Sequence, residues 1–391
     1  MLPRSKYLLT TAPDTSLWIQ VYYNDQHLTR EEVATISGAS DVYHNWWRRV
    51  SPDNGRTWSE PVTITDILPG VPLEQTLPGG GIVMYPQIVA ADSRSGRCYR
   101  FYMQRLFPGR KPFEFKTFKS SEVVDHVFVT EQDGPPRMLR YEEGAECDWA
   151  QPFDDGYCRS NRAYFGVNAE IEKDGTVLFP VTANVWRGDV LHDGVCLMRR
   201  DPSDGQWHSS NVTLINPAWS SRGLMEPSVV RLRNGAILII CRGDNTPSTS
   251  GRKWFVYSTD NGRTLSEVRE LRYDDDTQFF SPSSIHRLIR STRNGVLYWI
   301  ANIVPTLPKG NSPRYPLVIA RMDEERMAVV KSSLETVDDK SPQDPDIIQF
   351  SNFCVLEDRE TKDMEIFMTR WGENPGHKWH ADCYRYIYSP G

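Results

Sequence analysis

Two stretches of this chain, "SPDNGRTWSE" (51–60) and "STDNGRTLSE" (258–267), share the pattern Ser-x-Asp-x-Gly-x-Thr at identical spacing. A tight turn between antiparallel strands needs a positive φ, which Gly55 and Gly262 supply. Asp53 and Asp260 can fold back onto the turn amides. Each residue of the pattern therefore has a local structural task, and its recurrence means that the chain repeats a unit. "TEQDGPPR" around Asp133 and "DPSDGQW" around Asp204 are worn copies, and "ARMDEERM" around Asp323 stands where another belongs. "EIEKDGTVLFPV" and "RLRNGAILIICR" are two copies of the first half of the unit. The unit reads strand, tight turn, strand, longer loop, strand, tight turn, with runs that are short, β-branched or aromatic and bounded by Gly, Pro, Asn and Asp. Only "TREEVATI" (29–36) is expected to make a helical turn. Six units predict an all-β, six-bladed β-propeller, with residues 1–391 as one domain and the N-terminal strand closing the ring against the last blade. Seven blades result if 64–160 holds two.

Composition narrows the partners. The formal net charge is −6, which disfavours nucleic acid. No apolar run approaches the roughly 18 residues of a membrane span. "RLFPGRKPFEFKTFK" (105–119) mixes basic and aromatic residues, and in an acidic chain it reads as an insertion lying on a blade. The N-terminus lacks the apolar stretch of a leader, and the seven cysteines are irregularly spaced with no C-x-x-C. Both point to reduced thiols and a cytoplasmic setting. "YDDDTQ" (273–278) lacks calcium-loop spacing and "HADC" (380–383) is an isolated pair, so neither metal nor cofactor is expected. The sequence sets no oligomeric state.

The repeated turn in such a chain resembles the Asp-box, or BNR repeat, of the sialidase (neuraminidase) superfamily, whose members are six-bladed propellers. They hold a sugar carboxylate with three arginines, and use an Asp as acid/base and a Tyr nucleophile assisted by a Glu. "MEPSVVRLRNGAILIICRGDN" resembles the family's Glu-to-Arg segment and implies Glu226 as the assisting carboxylate and Arg242 as one arginine. "GNSPRYPLVIARM" implies Arg314 as another, and "PRSKYLLT" offers Arg4 as the nearest match to the first. "ISGASDVYHNWWRRV" resembles the loop of the acid/base Asp and implies Asp41, with His44 as a second proton donor. The Tyr position departs from the pattern: "IIQFSNFCVLED" offers Phe350, which has no oxygen to attack an anomeric carbon. Tyr85 and Tyr164, each at an inner strand, are the substitutes.

Each residue also has a plain structural reading. Glu226 can be an edge carboxylate, and Arg242, leaving the apolar "AILIICR", needs an anionic partner that Glu226 or Asp244 can provide. Arg314 can be a rim arginine, Asp41 a turn residue, and His44 can pack among Trp46 and Trp47. The resemblance implies an exo-glycoside hydrolase removing a terminal acidic sugar from a glycan. The alternatives are a propeller polysaccharide lyase on uronate glycans, using His44 and a Tyr, or a non-catalytic glycan-binding propeller.

Overall fold

The computed structural model describes residues 1–9, 16–39, 42–68, 71–114, 120–132 and 134–391, and in them six antiparallel sheets follow one another along the chain. Blade 1 is Ser16–Tyr23, Arg30–Ala39, Val42–Ser51 and Val62–Thr63. Blade 2 is Gly80–Ala91, Cys98–Pro108, Val124–Glu131 and Arg137–Met138, with Glu74–Leu77 added beside its first strand. In blade 3, Ala163–Phe165 and Glu170–Ile171 both pair with Val177–Arg187, followed by Val190–Arg200 and Trp207–Ser209. Blade 4 is Met225–Arg231, Ile237–Arg242, Lys253–Ser258 and Arg269–Glu270. Blade 5 is Arg287–Arg290, Leu297–Asn302 and Leu317–Asp323, edged by Ala328–Val329 and Glu335–Asp338. Blade 6 is Cys354–Glu357, Met364–Thr369 and Cys383–Tyr388, completed by Arg4–Leu8 from the other end of the chain. Segment 64–160 folds as one blade with a small added hairpin (Asp66–Leu68 with Val71–Pro72), so the ring has six sheets and not seven.

The core lies between blades. In "AILIICR", Ile237, Ile239 and Cys241 pack with Val195 and Leu197 of blade 3, while Leu238 and Ile240 pack with Leu288 and Trp299 of blade 5. Alternate side chains of a strand point to opposite faces, so a strand covered by a sheet on each side is apolar at every position.

"TREEVATI" is not helical: Arg30–Ala39 is a strand. Its charges face inward and are matched. Arg30 meets Asp358 and Glu365 of blade 6, each at 2.7 Å, Glu31 meets Arg100 of blade 2 at 2.9 Å, and Glu32 meets Arg49 at 2.7 Å. Distant partners decide this segment, and local propensity does not.

The repeated turns join the third and fourth strands of blades 1 and 4, and their bonds coincide. Ser51 Oγ accepts from Gly55 N at 2.8 Å and donates to Asp53 Oδ1, whose carboxylate also takes Thr57 N at 2.8 Å and Thr57 Oγ1 at 2.7 Å. Ser258, Asp260, Gly262 and Thr264 repeat each contact. These bonds hold both carboxyls down at about 2. Asp204 keeps a reduced version of the turn, and Asp133 lies outside the described residues. Register fixes which end of the sheet this is. Ser258 pairs with Ile237, and Arg242 pairs with Lys253 at the opposite end.

Candidate functional site

The hairpin Met225–Arg231/Ile237–Arg242 builds the centre of the site at the end away from the turns. Met225 sits opposite Arg242, but a bulge separates it from Ser228, where regular pairing resumes. Pro227 has no N–H to keep the ladder, and Glu226 adopts φ +45, a conformation that costs a non-glycine residue about 1 kcal/mol or more. The bulge re-aims Glu226. Its N–H donates to Thr182 Oγ1 of blade 3 at 3.0 Å, and its carboxylate receives Arg242 Nη1 at 2.6 Å. Among the described residues Glu226, and not Asp244, is the acid bonded to Arg242.

Two arginines close on one residue. Arg242 Nε donates to Ser283 Oγ at 2.7 Å, and Arg314 Nη2 donates to the Ser283 carbonyl at 2.8 Å. Arg242 Nη2 also reaches Asn311 Oδ1 at 3.2 Å, and Arg314 Nη1 reaches Gln349 Oε1 at 3.4 Å. Burial by itself would raise the Glu226 carboxyl; the charge and hydrogen bond of Arg242, then the charges of Arg314 and Arg222, outweigh it and hold the group below its ordinary value. Lys253, fully buried beside them, donates to the Pro282 carbonyl at 2.8 Å. Burial, and then the charge of Arg242, push its ammonium well below the usual lysine value. Among the described residues, Arg242 and Arg314 thus both act on the Glu226 carboxylate.

Arg4 is not part of this group. It lies on the outermost strand of blade 6 and bridges to Asp338 at 2.6 Å, because the N-terminal strand is the last to join the ring. Arg370 shares the same Asp338 oxygen and stands just past the second strand of blade 6, much as Arg242 ends the second strand of blade 4. It pairs with Asp338 at 3.2 Å and Asp344 at 3.0 Å, and its carbon stands 5.1 Å from the Phe350 ring centroid. Gln349, held by Arg314, donates its N–H to the carbonyl of Trp371, the residue after Arg370, at 2.7 Å. The signal for Arg370 was visible: "EIFMTR" ends as "AILIICR" does. Phe350 donates its N–H to the Arg314 carbonyl at 3.0 Å and is wholly buried, so this place in the site offers packing and no nucleophile.

Tyr85 and Tyr164 come together around a different cation. The Arg105 guanidinium carbon is 5.7 Å from each ring centroid, and Arg105 is held by Asp125 through two bonds of 2.7 and 2.8 Å. Sequence reading missed Arg105 and Asp125, which face each other across neighbouring strands. This cluster adjoins the first, because Tyr164 sits opposite Thr182, whose hydroxyl accepts from Glu226 N. Asp41 lies outside the described residues. His44 is in the strand Val42–Ser51 opposite Ile36, and its side chain lies outside them too. Among the described residues no three His, Cys, Asp or Glu side chains are placed to share a metal ion. A pair of guanidiniums beside an ionised carboxylate can bind a carboxylate ligand in bidentate fashion and present a base or nucleophile next to it.

No family model and no curated protein matches the sequence. Solved structures do match the fold. A Dyadobacter fermentans protein of unknown function aligns with a TM-score of 0.62 at 12% identity, over 98% of both chains. The NanB sialidase of Streptococcus pneumoniae aligns at 0.59 and 12% identity, over 100% of this chain and 70% of that one. The intramolecular trans-sialidase of Ruminococcus gnavus aligns at 0.58 and 11%, over 94% and 93%. In fold, the chain is a sialidase-like six-bladed β-propeller.

Proposed function

We propose that this protein is an exo-acting glycoside hydrolase that removes a terminal acidic sugar from a glycan. The observation that carries this reading is the convergence of Arg242 and Arg314 on Ser283 beside the ionised Glu226. The guanidiniums grip the sugar carboxylate. Asp41 protonates the leaving oxygen, and Glu226 either attacks the anomeric carbon or takes the proton of a tyrosine that does. Tyr164, next to Thr182, is the first candidate for that tyrosine and Tyr85 the second. The sialidase fold of the structural neighbours supports the reading, and Phe350 weakens the case for a sialidase's own tyrosine chemistry.

Phe350 also favours a second reading, a polysaccharide lyase, which needs arginine to neutralise a uronate carboxylate and a base and acid in place of a nucleophile. One experiment separates them. Glycans ending in acidic sugars are incubated with the wild type, Glu226→Gln and Asp41→Asn, and products are followed by mass spectrometry and ultraviolet absorbance. The hydrolase reading expects a saturated free sugar, lost in both variants. An unsaturated, absorbing product establishes the lyase, and binding without product establishes a glycan-binding propeller.

A further inference from the structure

Inner-strand segments of five blades surround a cavity of about 230 Å³. Gln20, Tyr22, Ile88, Asn168, Arg287 and Cys354 are on its wall, and Arg287 is the one charged side chain among the described lining residues. Arg287 begins the inner strand of blade 5 and is more than nine-tenths buried. Ile289, on the same face of that strand, packs into the core between blades 5 and 6, whereas Leu288 packs between blades 4 and 5.

The other buried arginines show what a guanidinium in this protein ordinarily has. Arg30 holds Asp358 and Glu365, Arg105 holds Asp125, and Arg242 holds Glu226. Among the described residues Arg287 has no carboxylate in contact, and its Nε finds no acceptor. Its polar neighbours on the wall are committed elsewhere. Asn168 is bonded to Ser228 and Val229, the Tyr22 hydroxyl donates to Glu31, and Cys354 Sγ accepts from Val21 N. Burial lowers the guanidinium pKa only to about 10, so Arg287 remains a cation at neutral pH. Glu226 is the carboxylate that acts on Arg287, from beyond hydrogen-bond contact, and a buried guanidinium strongly favours an anion in its plane.

We infer that the cavity beside Arg287 is a binding site for a small monovalent anion of halide size, separate from the arginine pair at Ser283. A single cation on the wall matches one negative charge and would leave a dianion half compensated. The volume suits an ion with a few waters, and the Gln20 amide on the same wall is a further donor. The inference does not depend on the reading of the mouth as a glycosidase.

Crystals of the full chain grown or soaked in bromide test this directly by anomalous scattering. A bromide peak within about 4 Å of the Arg287 guanidinium is expected, and bromide found on the outer surface alone overturns the proposal. Melting of the wild type in chloride and in gluconate at equal ionic strength gives a second readout. Chloride is expected to raise Tm by about 2 °C with saturation, and Arg287→Gln to show no difference between the salts. An equal response of both proteins means a general salt effect and overturns the site. If Arg287→Gln does not fold, the bromide map of the wild type decides alone.

Discussion

The two ends of blade 4 carry charge in opposite ways. At the turn end, Asp260 is half-buried at the surface, accepts several hydrogen bonds and has its carboxyl at about 2. Nothing about it is strained: the turn uses Gly262 and Asn261 where positive φ is needed. At the other end, Glu226 takes positive φ without being glycine, Lys253 is buried with a weakened hold on its proton, and two arginines close on one serine. Satisfied, solvent-facing charge marks a part that holds shape. Crowded, buried charge on a strained backbone marks a candidate site, and guanidiniums grouped there suit an acidic ligand.

The sharpest way to break this comparison is to remove the carboxylate at the mouth. Glu226→Gln keeps the shape and is expected to lower kcat by about 10³-fold on any substrate the protein turns over, with some loss of Tm because Arg242 loses its buried partner. A loss of stability with turnover per folded molecule preserved would make Glu226 a structural residue. The turn end should show the reverse. Arg30, bonded there to Asn54, Asp358 and Glu365, ties blade 1 to blade 6, and Arg30→Ala strands two buried carboxylates. Urea unfolding should show a loss of about 3–5 kcal/mol, and the folded fraction should keep its kcat.

The site was partly legible before the fold was known. Glu226 and Arg242 could be paired from sequence because they belong to one hairpin, whose register brings them together. Arg314 is placed by a strand start of the same kind. Arg4 was chosen as the nearest match to a strand-entry motif; that its strand is the outermost of blade 6 and that it shares Asp338 with Arg370 are revealed only by ring closure. Arg370 was passed over although "EIFMTR" ends as "AILIICR" does, and Arg105 because nothing local distinguishes its strand position from others. The same limit explains "TREEVATI", whose charges are matched by Asp358, Glu365 and Arg100, far away in sequence.

Two smaller effects sharpen the contrast through pH. Glu226 is held below its ordinary value by Arg242, so the acid limb of kcat/KM that it controls should lie below that of an unperturbed glutamate. In Arg242→Met that limb should move upward, and an unmoved limb would show that another group is titrating. Asp53 and Asp260 have folded pKa values of about 2, below the roughly 3.9 of an unfolded aspartate. Their contribution is therefore complete above pH 3.9 and disappears as pH falls through 2. Asp53→Asn and Asp260→Asn should each lower Tm at pH 7, approach the wild type near pH 2, and leave turnover unchanged throughout.

The central claim is that Arg242 and Arg314 together bind the carboxylate of an acidic sugar. Titration calorimetry of the wild type with N-acetylneuraminic acid and with its methyl ester tests it most directly. The account predicts binding of the acid, at least about 100-fold weaker binding of the ester, and loss of the acid's advantage in both Arg242→Met and Arg314→Met. Equal binding of acid and ester, or variants that still prefer the acid, would contradict it.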